Sequence, residues 1–183
     1  MKRLLRQAWL AFALRAETAL SRFRRAAVGR HVSALLIDCE QGRFLARPED
    51  WTVGGLMART GRYGTEEIAR LRSLTDANSR VLVVGSHIGA LVVPLARHVA
   101  HVTAVEANPD TFELLALNLG LNGCANVQAL QLAAGDREGE IDFVLHRGNS
   151  GGSKRLPLVR RDVYFHDKPE VRRVRMGLSL IHI

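Results

Sequence analysis

Between residues 80 and 132 short β-branched runs alternate with helical stretches, and this alternation restricts the fold more than any other feature. Val81-Leu82-Val83-Val84 is a continuous apolar run, as expected of a strand buried on both faces of a parallel sheet. It ends in Gly85-Ser86-His87-Ile88-Gly89, and Ala90–His98 then reads as a helix. Val102-Thr103-Ala104-Val105 is a second strand ending at Glu106. Asp110 or Thr111 begins a helix through Leu119, which stops near the turn-forming Asn122-Gly123, and Val127–Leu132 is a third strand. Ile141–Val144 alternates and suits a more exposed strand. Repeated strand–helix–strand units specify an α/β fold with a parallel sheet.

Three positions within this pattern carry chemistry. A glycine-rich turn after the first strand lets backbone approach a ligand where a side chain would collide. The next helix would aim its N-terminus, with free N–H groups, at that ligand. Some 20 residues on, an acidic residue ending the second strand can accept both hydroxyls of a ribose. Gly85, Gly89 and Glu106 meet this spacing. The turn is G-x-x-x-G and lacks the middle glycine that a pyrophosphate requires, which disfavours NAD and favours a ligand without phosphates.

The net charge of +8 is unevenly distributed. Residues 1–30 hold eight basic side chains against Glu17 alone, a net +7, and residues 147–183 hold nine against three, a net +6. The middle is therefore acidic, and on this balance nucleic acid is not the default partner. Residues 1–30 read as one basic amphipathic helix, with Leu5, Trp9, Phe12, Ala16, Leu20 and Phe23 on one face. No apolar run is long enough to span a bilayer. A basic face opposite Trp and Phe suits peripheral contact with a membrane surface; the plainer alternative is a helix packed on the domain. Cys39 and Cys124 match no metal or redox spacing, so the reducing cytoplasm is the simpler location.

Residues 31–78 form a leader. Ser33–Asp38 and Gly42–Ala46 suggest a hairpin, Val53–Ala58 shows helical spacing, and Thr65 is placed to cap a helix through Leu74. Residues 79–183 hold the α/β unit.

Several motifs together resemble the FkbM family of methyltransferases. They are Val-Gly-Ser-His-Ile-Gly (84–89), Val-Glu-Ala-Asn-Pro (105–109), Asn-Leu-Gly-Leu-Asn-Gly (118–123), Ala-Ala-Gly-Asp-Arg-Glu-Gly (133–139) and Gly-Asn-Ser-Gly-Gly-Ser (148–153). The leader's Arg43-Phe44-Leu45, Pro48, Asp50, Gly61 and Tyr63 add to the resemblance, which spans roughly residues 40–155. It implies a Rossmann-like class I methyltransferase sheet using S-adenosylmethionine to methylate a hydroxyl of a sugar, glycan or secondary metabolite. A non-catalytic cofactor-binding or membrane-associated protein is the competing reading. By the same resemblance, Gly85, Ser86, His87, Ile88 and Gly89 lie under the methionine part of the cofactor and Glu106 holds the ribose. Ala107 and Asn108 border the adenine, and Ala133 and Ala134 cover its other side. The chain departs from the family at Val83, where an acid is usual, and at His87, where Asn is usual.

Asp136 reads as a turn residue more than an adenine contact, and Asn149–Ser153 as either a substrate-facing loop or a linker. His31, His98, His101, His146 and His166 show no metal-ligand spacing, and no metal is expected. Arg155, Arg160, Arg161, Arg172, Arg173 and Arg175 read as a charged face, or as an attraction for an anionic glycan. The resemblance implies about seven strands, and no late Lys-x-Asp-x-Glu-Gly-like motif follows residue 155. The domain is therefore expected to be incomplete, with residues 177–183 lacking a family counterpart. The sequence nominates no general base and no oligomeric state.

Overall fold

A computed structural model describes residues 2–157 and 168–178 of the chain. Arg160, Arg161, His166 and most of the 177–183 tail therefore lie outside the described residues. The fold is α/β and Rossmann-like. A long helix α1 (Lys2–Val28) precedes a hairpin of β1 (Leu35–Cys39) and β2 (Gly42–Ala46), paired from Leu35 with Ala46 to Cys39 with Gly42. Two short helices follow, α2 (Val53–Thr60) and α3 (Thr65–Ser73). Thr65 does not cap α3. Gly64 takes that position with φ of 59°, a left-handed conformation that glycine adopts without a Cβ penalty.

The parallel sheet has the order β3-β4-β5, built from β3 (Arg80–Val84), β4 (His101–Glu106) and β5 (Val127–Gln131). The central strand β4 buries Val102, Ala104 and Val105. β3 is less buried than its apolar run suggests. It lies at the edge of the sheet, Val81–Val83 are half-buried and Val84 is 53% exposed.

The helix after β3 is also shorter than the sequence indicates. Only Val92–Ala96 (α4) is regular, because Pro94 has no N–H to give to the preceding turn. The helix after β4, α5 (Pro109–Leu121), is longer than expected. Asn108 caps it, its side chain accepting from the N–H groups of Asp110 and Thr111, with Pro109 in the first turn.

Two asparagines one turn apart on α5 fasten the hairpin. Asn118 Oδ1 accepts from Leu45 N at 2.7 Å, and Asn118 Nδ2 donates to Leu45 O at 3.1 Å. Asn122 repeats the pairing on Arg43, accepting at 3.1 Å and donating at 2.7 Å. The amides thus act as a strand along the open edge of β2, a protection that edge strands need. Phe44, on the same strand, is fully buried in the main core beside Met57, Leu95 and Leu115.

Beyond β5 the chain enters a four-stranded sheet of order β6-β9-β7-β8. β6 is Ala133–Gly135, β7 Gly139–Leu145, β8 Lys154–Arg155 and β9 Glu170–Leu178. β9 runs parallel to β6 and antiparallel to β7. Of the arginines read as a charged face, Arg172, Arg173 and Arg175 lie on this strand and Arg155 on β8. Val174 and Met176 point inward between exposed Arg173 and Arg175. Arg172 binds Asp110 at 2.8 Å and Glu170 at 2.6 Å, tying β9 to the first turn of α5.

α1 docks through its polar side. Ser21 Oγ donates to Glu49 O at 2.6 Å and Arg24 donates to Asp50 O at 3.1 Å. Phe12 and Phe23 remain 72% and 71% exposed, while the side chains of Leu5 and Trp9 lie outside the described set. No helix among the described residues is long and apolar enough to cross a membrane.

Candidate functional site

A cleft of about 470 Å3 opens at the C-terminal ends of β3 and β4, where parallel α/β sheets bind ligands. Its size falls within the range of small-molecule sites. Gly85, His87, Glu106, Ala107, Ala133 and Ala134 all line it. The other four nominated residues do not. Ser86 is buried and donates to Val83 O and Val105 O. Ile88 is 1% exposed in the core, and Gly89 packs against Leu115. Asn108 is committed to capping α5 and is 2% exposed.

Glu106 organises the cleft. One carboxylate oxygen accepts from His87 N and the other from Asn108 N, each at 2.8 Å. A carboxylate has about four acceptor positions, so each oxygen keeps capacity for a ligand hydroxyl. The carboxylate therefore fixes the glycine turn and remains able to hold a ribose.

The backbone of the turn differs from the expected array of free N–H groups. Gly85 N and Ser86 N both donate to Val105 O at 2.9 Å, and Gly89 N donates to Ser86 O at 3.0 Å. These amides close the turn on itself, and α4 is too short to add a substantial dipole. The turn supplies space instead. Gly85 has φ of 77°, and a Cβ there would meet nothing within 4 Å.

His87 adopts φ of 52°, unusual for a residue with a side chain. Its Nε2 lies 2.6 Å from Ser150 Oγ, which donates to Asp50 Oδ2 at 3.1 Å. With the Ser150 hydroxyl hydrogen directed at Asp50, the imidazole proton is on Nε2, and Nδ1 is a buried acceptor with no hydrogen-bond partner among the described residues. Burial holds the imidazole pKa below its ordinary value, against the opposing charges of Asp50 and Glu106. Asp50 is itself 1% exposed and accepts from Thr52 N, Thr52 Oγ1 and Gly54 N. The leader, the glycine turn and the loop after β7 thus meet at one buried carboxylate.

The far wall is apolar: Leu132, Ile141, Phe143 and Met176 line it, with Ala133, Val174 and Met176 forming a small core behind. Asp136 also lines the cleft. The Asn149–Ser153 loop contains a 3-10 turn (Ser150–Gly152) and borders the cleft through Ser150, Gly151 and Ser153. Sequence reasoning did not nominate Asp50 as a site residue or the β9 contribution, and it offered Ser150 only within a loop read as substrate-facing or a linker. Asp50 stood within a quoted leader motif, but its partner is 100 residues away and no local pattern links them.

A family model for the TRM5/TYW2 methyltransferase domain matches residues 61–144. This overturns the FkbM resemblance. The glycine turn and the acid ending the second strand belong to a shared cofactor-binding architecture, and such features do not separate one family from another. The sugar or glycan acceptor rested on that resemblance and falls with it. TYW2 of M. jannaschii in complex with AdoMet matches at TM-score 0.44 and 23% identity, over 54% of this chain and 43% of that one. Trm5b from Pyrococcus abyssi matches at TM-score 0.46 and 18% identity, over 60% and 33%. aTrm5, solved in complex with tRNALeu, matches at TM-score 0.44 and 17% identity, over 56% and 29%. The chain thus spans less than half the length of these proteins. No curated protein matches the sequence significantly.

The expectation of no nucleic-acid partner is corrected together with the family: the matching model is that of TRM5/TYW2, and aTrm5 is a protein solved in complex with tRNALeu. Its physical basis was a sum along the chain, which hides how charges gather in space. The basic N-terminal and C-terminal segments meet in one groove, where Arg22, Arg25 and Arg30 lie beside Arg147 and Lys168.

Proposed function

We propose that the chain binds S-adenosylmethionine in the cleft at the ends of β3 and β4 and methylates tRNA. The observation that carries the cofactor half is the position of Glu106, buried, fixed by two backbone donors and lining the cleft. A phosphate-free nucleoside suits the remaining features, because the amides of Gly85, Ser86 and Gly89 are already engaged and offer no cradle to a pyrophosphate. Glu106 accepts the ribose hydroxyls. Ala107 and the apolar wall of Ile141 and Phe143 enclose the adenine. The open space over Gly85 admits the methionine part, and the buried Nδ1 of His87 accepts a hydrogen bond from a donor such as its ammonium group. When bound, this cofactor supplies an electrophilic methyl group, and the protein contributes mainly position and orientation.

The matched family supports this acceptor class, since a Trm5 protein has been solved in complex with tRNA. The test is incubation of the full chain with methyl-tritiated S-adenosylmethionine and a pool of unmodified tRNA transcripts. Label should enter RNA with the native chain and not with Glu106→Ala. Cofactor-dependent stabilisation without transfer to any transcript would reduce the function to binding.

A further inference from the structure

We propose that the groove between α1 and the segment after β7 holds the phosphate backbone of an RNA. This inference rests on the tRNA half of the proposed function and locates where that partner is gripped. The groove has a volume of about 760 Å3 and, among the described residues, gathers Arg22, Arg25, Arg30, Arg147 and Lys168 against one lining acid, Glu49. Glu49 is itself within 3.7 Å of Arg25 and Glu170 within 3.9 Å of Arg147, so the positive balance of the groove rests on Arg22, Arg30 and Lys168. Guanidinium groups suit phosphate because their fork of donors matches its oxygens.

Three shared residues place the groove, a polar cavity and the cleft side by side. Glu49 and Arg147 also line a polar cavity of about 210 Å3, and Ser150 lines both that cavity and the cofactor cleft. A backbone lying in the groove therefore runs beside the polar cavity that borders the cofactor cleft.

A lipid surface fits the groove less well. Thr18, Ser21, Arg22 and Arg25 share one side of α1 and line the groove, whereas the exposed Phe12 and Phe23 share another. A membrane met through the two phenylalanines would face away from the cationic groove.

The test is binding of a fluorescently labelled, unmodified tRNA transcript to the full chain over a salt series, without cofactor or turnover. The double variant Arg22→Glu with Lys168→Glu should weaken binding at least about tenfold and lower the slope of log Kd against log salt by about 2. Arg25 is left intact because its guanidinium holds the carbonyls of Val32 and Arg30. Arg70→Glu with Arg80→Glu, equal in charge change but remote from the groove, should leave the affinity within about twofold. Equal weakening by both pairs, or none by the first, would overturn the proposal. So would competition by anionic vesicles together with a groove variant that loses vesicle binding but keeps tRNA. Retained stabilisation by S-adenosylhomocysteine verifies that each variant is folded, and Arg22→Gln with Lys168→Gln replaces a pair that is not. If tRNA binds as described but no methyl group is transferred, the proposed function fails and the groove stands.

Discussion

The carboxylate of Glu106 accepts the backbone N–H of His87 at 2.8 Å, so the residue proposed to hold a ribose also fixes the glycine turn. Because its other oxygen accepts Asn108 N, Glu106→Ala removes the acceptor of two donors as well as the ligand contact. Leaving a buried donor unsatisfied costs about 1–3 kcal/mol, so chemical denaturation should show a loss of that order or more. S-adenosylhomocysteine should raise the Tm of the native chain, NAD should not, and the variant should show no rise. Stabilisation by NAD alone would sink the cofactor reading.

Asn118 offers a test of the fold with no ligand involved. Its fully buried amide serves Leu45 N, Leu45 O and Ile88 O, joining hairpin, helix and glycine turn. Asn118→Leu keeps the bulk but strands backbone groups on two elements. We expect a loss of about 3 kcal/mol in urea unfolding. A change below about 1 kcal/mol would mean that water replaces the amide.

The parallel strands were legible because a β-branched run bounded by turn residues has few alternatives, and Glu106 because it ends one of those runs. β9 was not legible. Arg172, Arg173 and Arg175 dominate its composition, and the inward pair Val174 and Met176 is too short a signal without β6 and β7 to receive it. Nor was the link from His87 through Ser150 to Asp50, since it joins segments 63 and 100 residues apart. Asn108, set beside the adenine by the family resemblance, has its side chain in the first turn of α5.

Two glycines of the turn should separate space from packing. A Cβ at Gly85 meets nothing within 4 Å, so Gly85→Ala bears only the left-handed backbone cost of about 1–2 kcal/mol. A Cβ at Gly89 would lie 3.0 Å from Leu115 Cδ1 in addition to having φ of 90°, so Gly89→Ala should destabilise more. The ligand response should run the other way. Gly85→Ala fills the cleft and should reduce the S-adenosylhomocysteine shift, while Gly89→Ala, which lies outside the cleft, should keep it. Thermal melts of both variants with and without ligand decide the point; a shift lost only at Gly89 would place the ligand elsewhere.

The remaining expectation concerns pH. His87 is held neutral by burial, with its pKa below the ordinary 6.5, while Asp50 and Glu106 pull the other way and Ser150 occupies Nε2. In the unfolded chain the same imidazole titrates near 6.5. Between the two values the unfolded state binds the extra proton and the folded state does not, so stability rises with pH through that window. The contribution is fully present above about pH 6.5 and is lost as pH falls towards the depressed folded value. The Tm of the native chain should therefore drop between pH 7 and pH 5.5. Asn tolerates the left-handed backbone at this position, so His87→Asn removes the titrating group without imposing a new backbone strain. The variant should show a shallower fall over the same range, even if its Tm at pH 7 is lower through loss of the Ser150 contact. The depressed carboxyl pKa values of Asp76 and Glu170 act in a more acidic window and do not confuse the comparison. Parallel pH profiles for the two chains would show that His87 gains its proton as readily when folded as when unfolded, and would remove the neutral Asp50–Ser150–His87 link from the site.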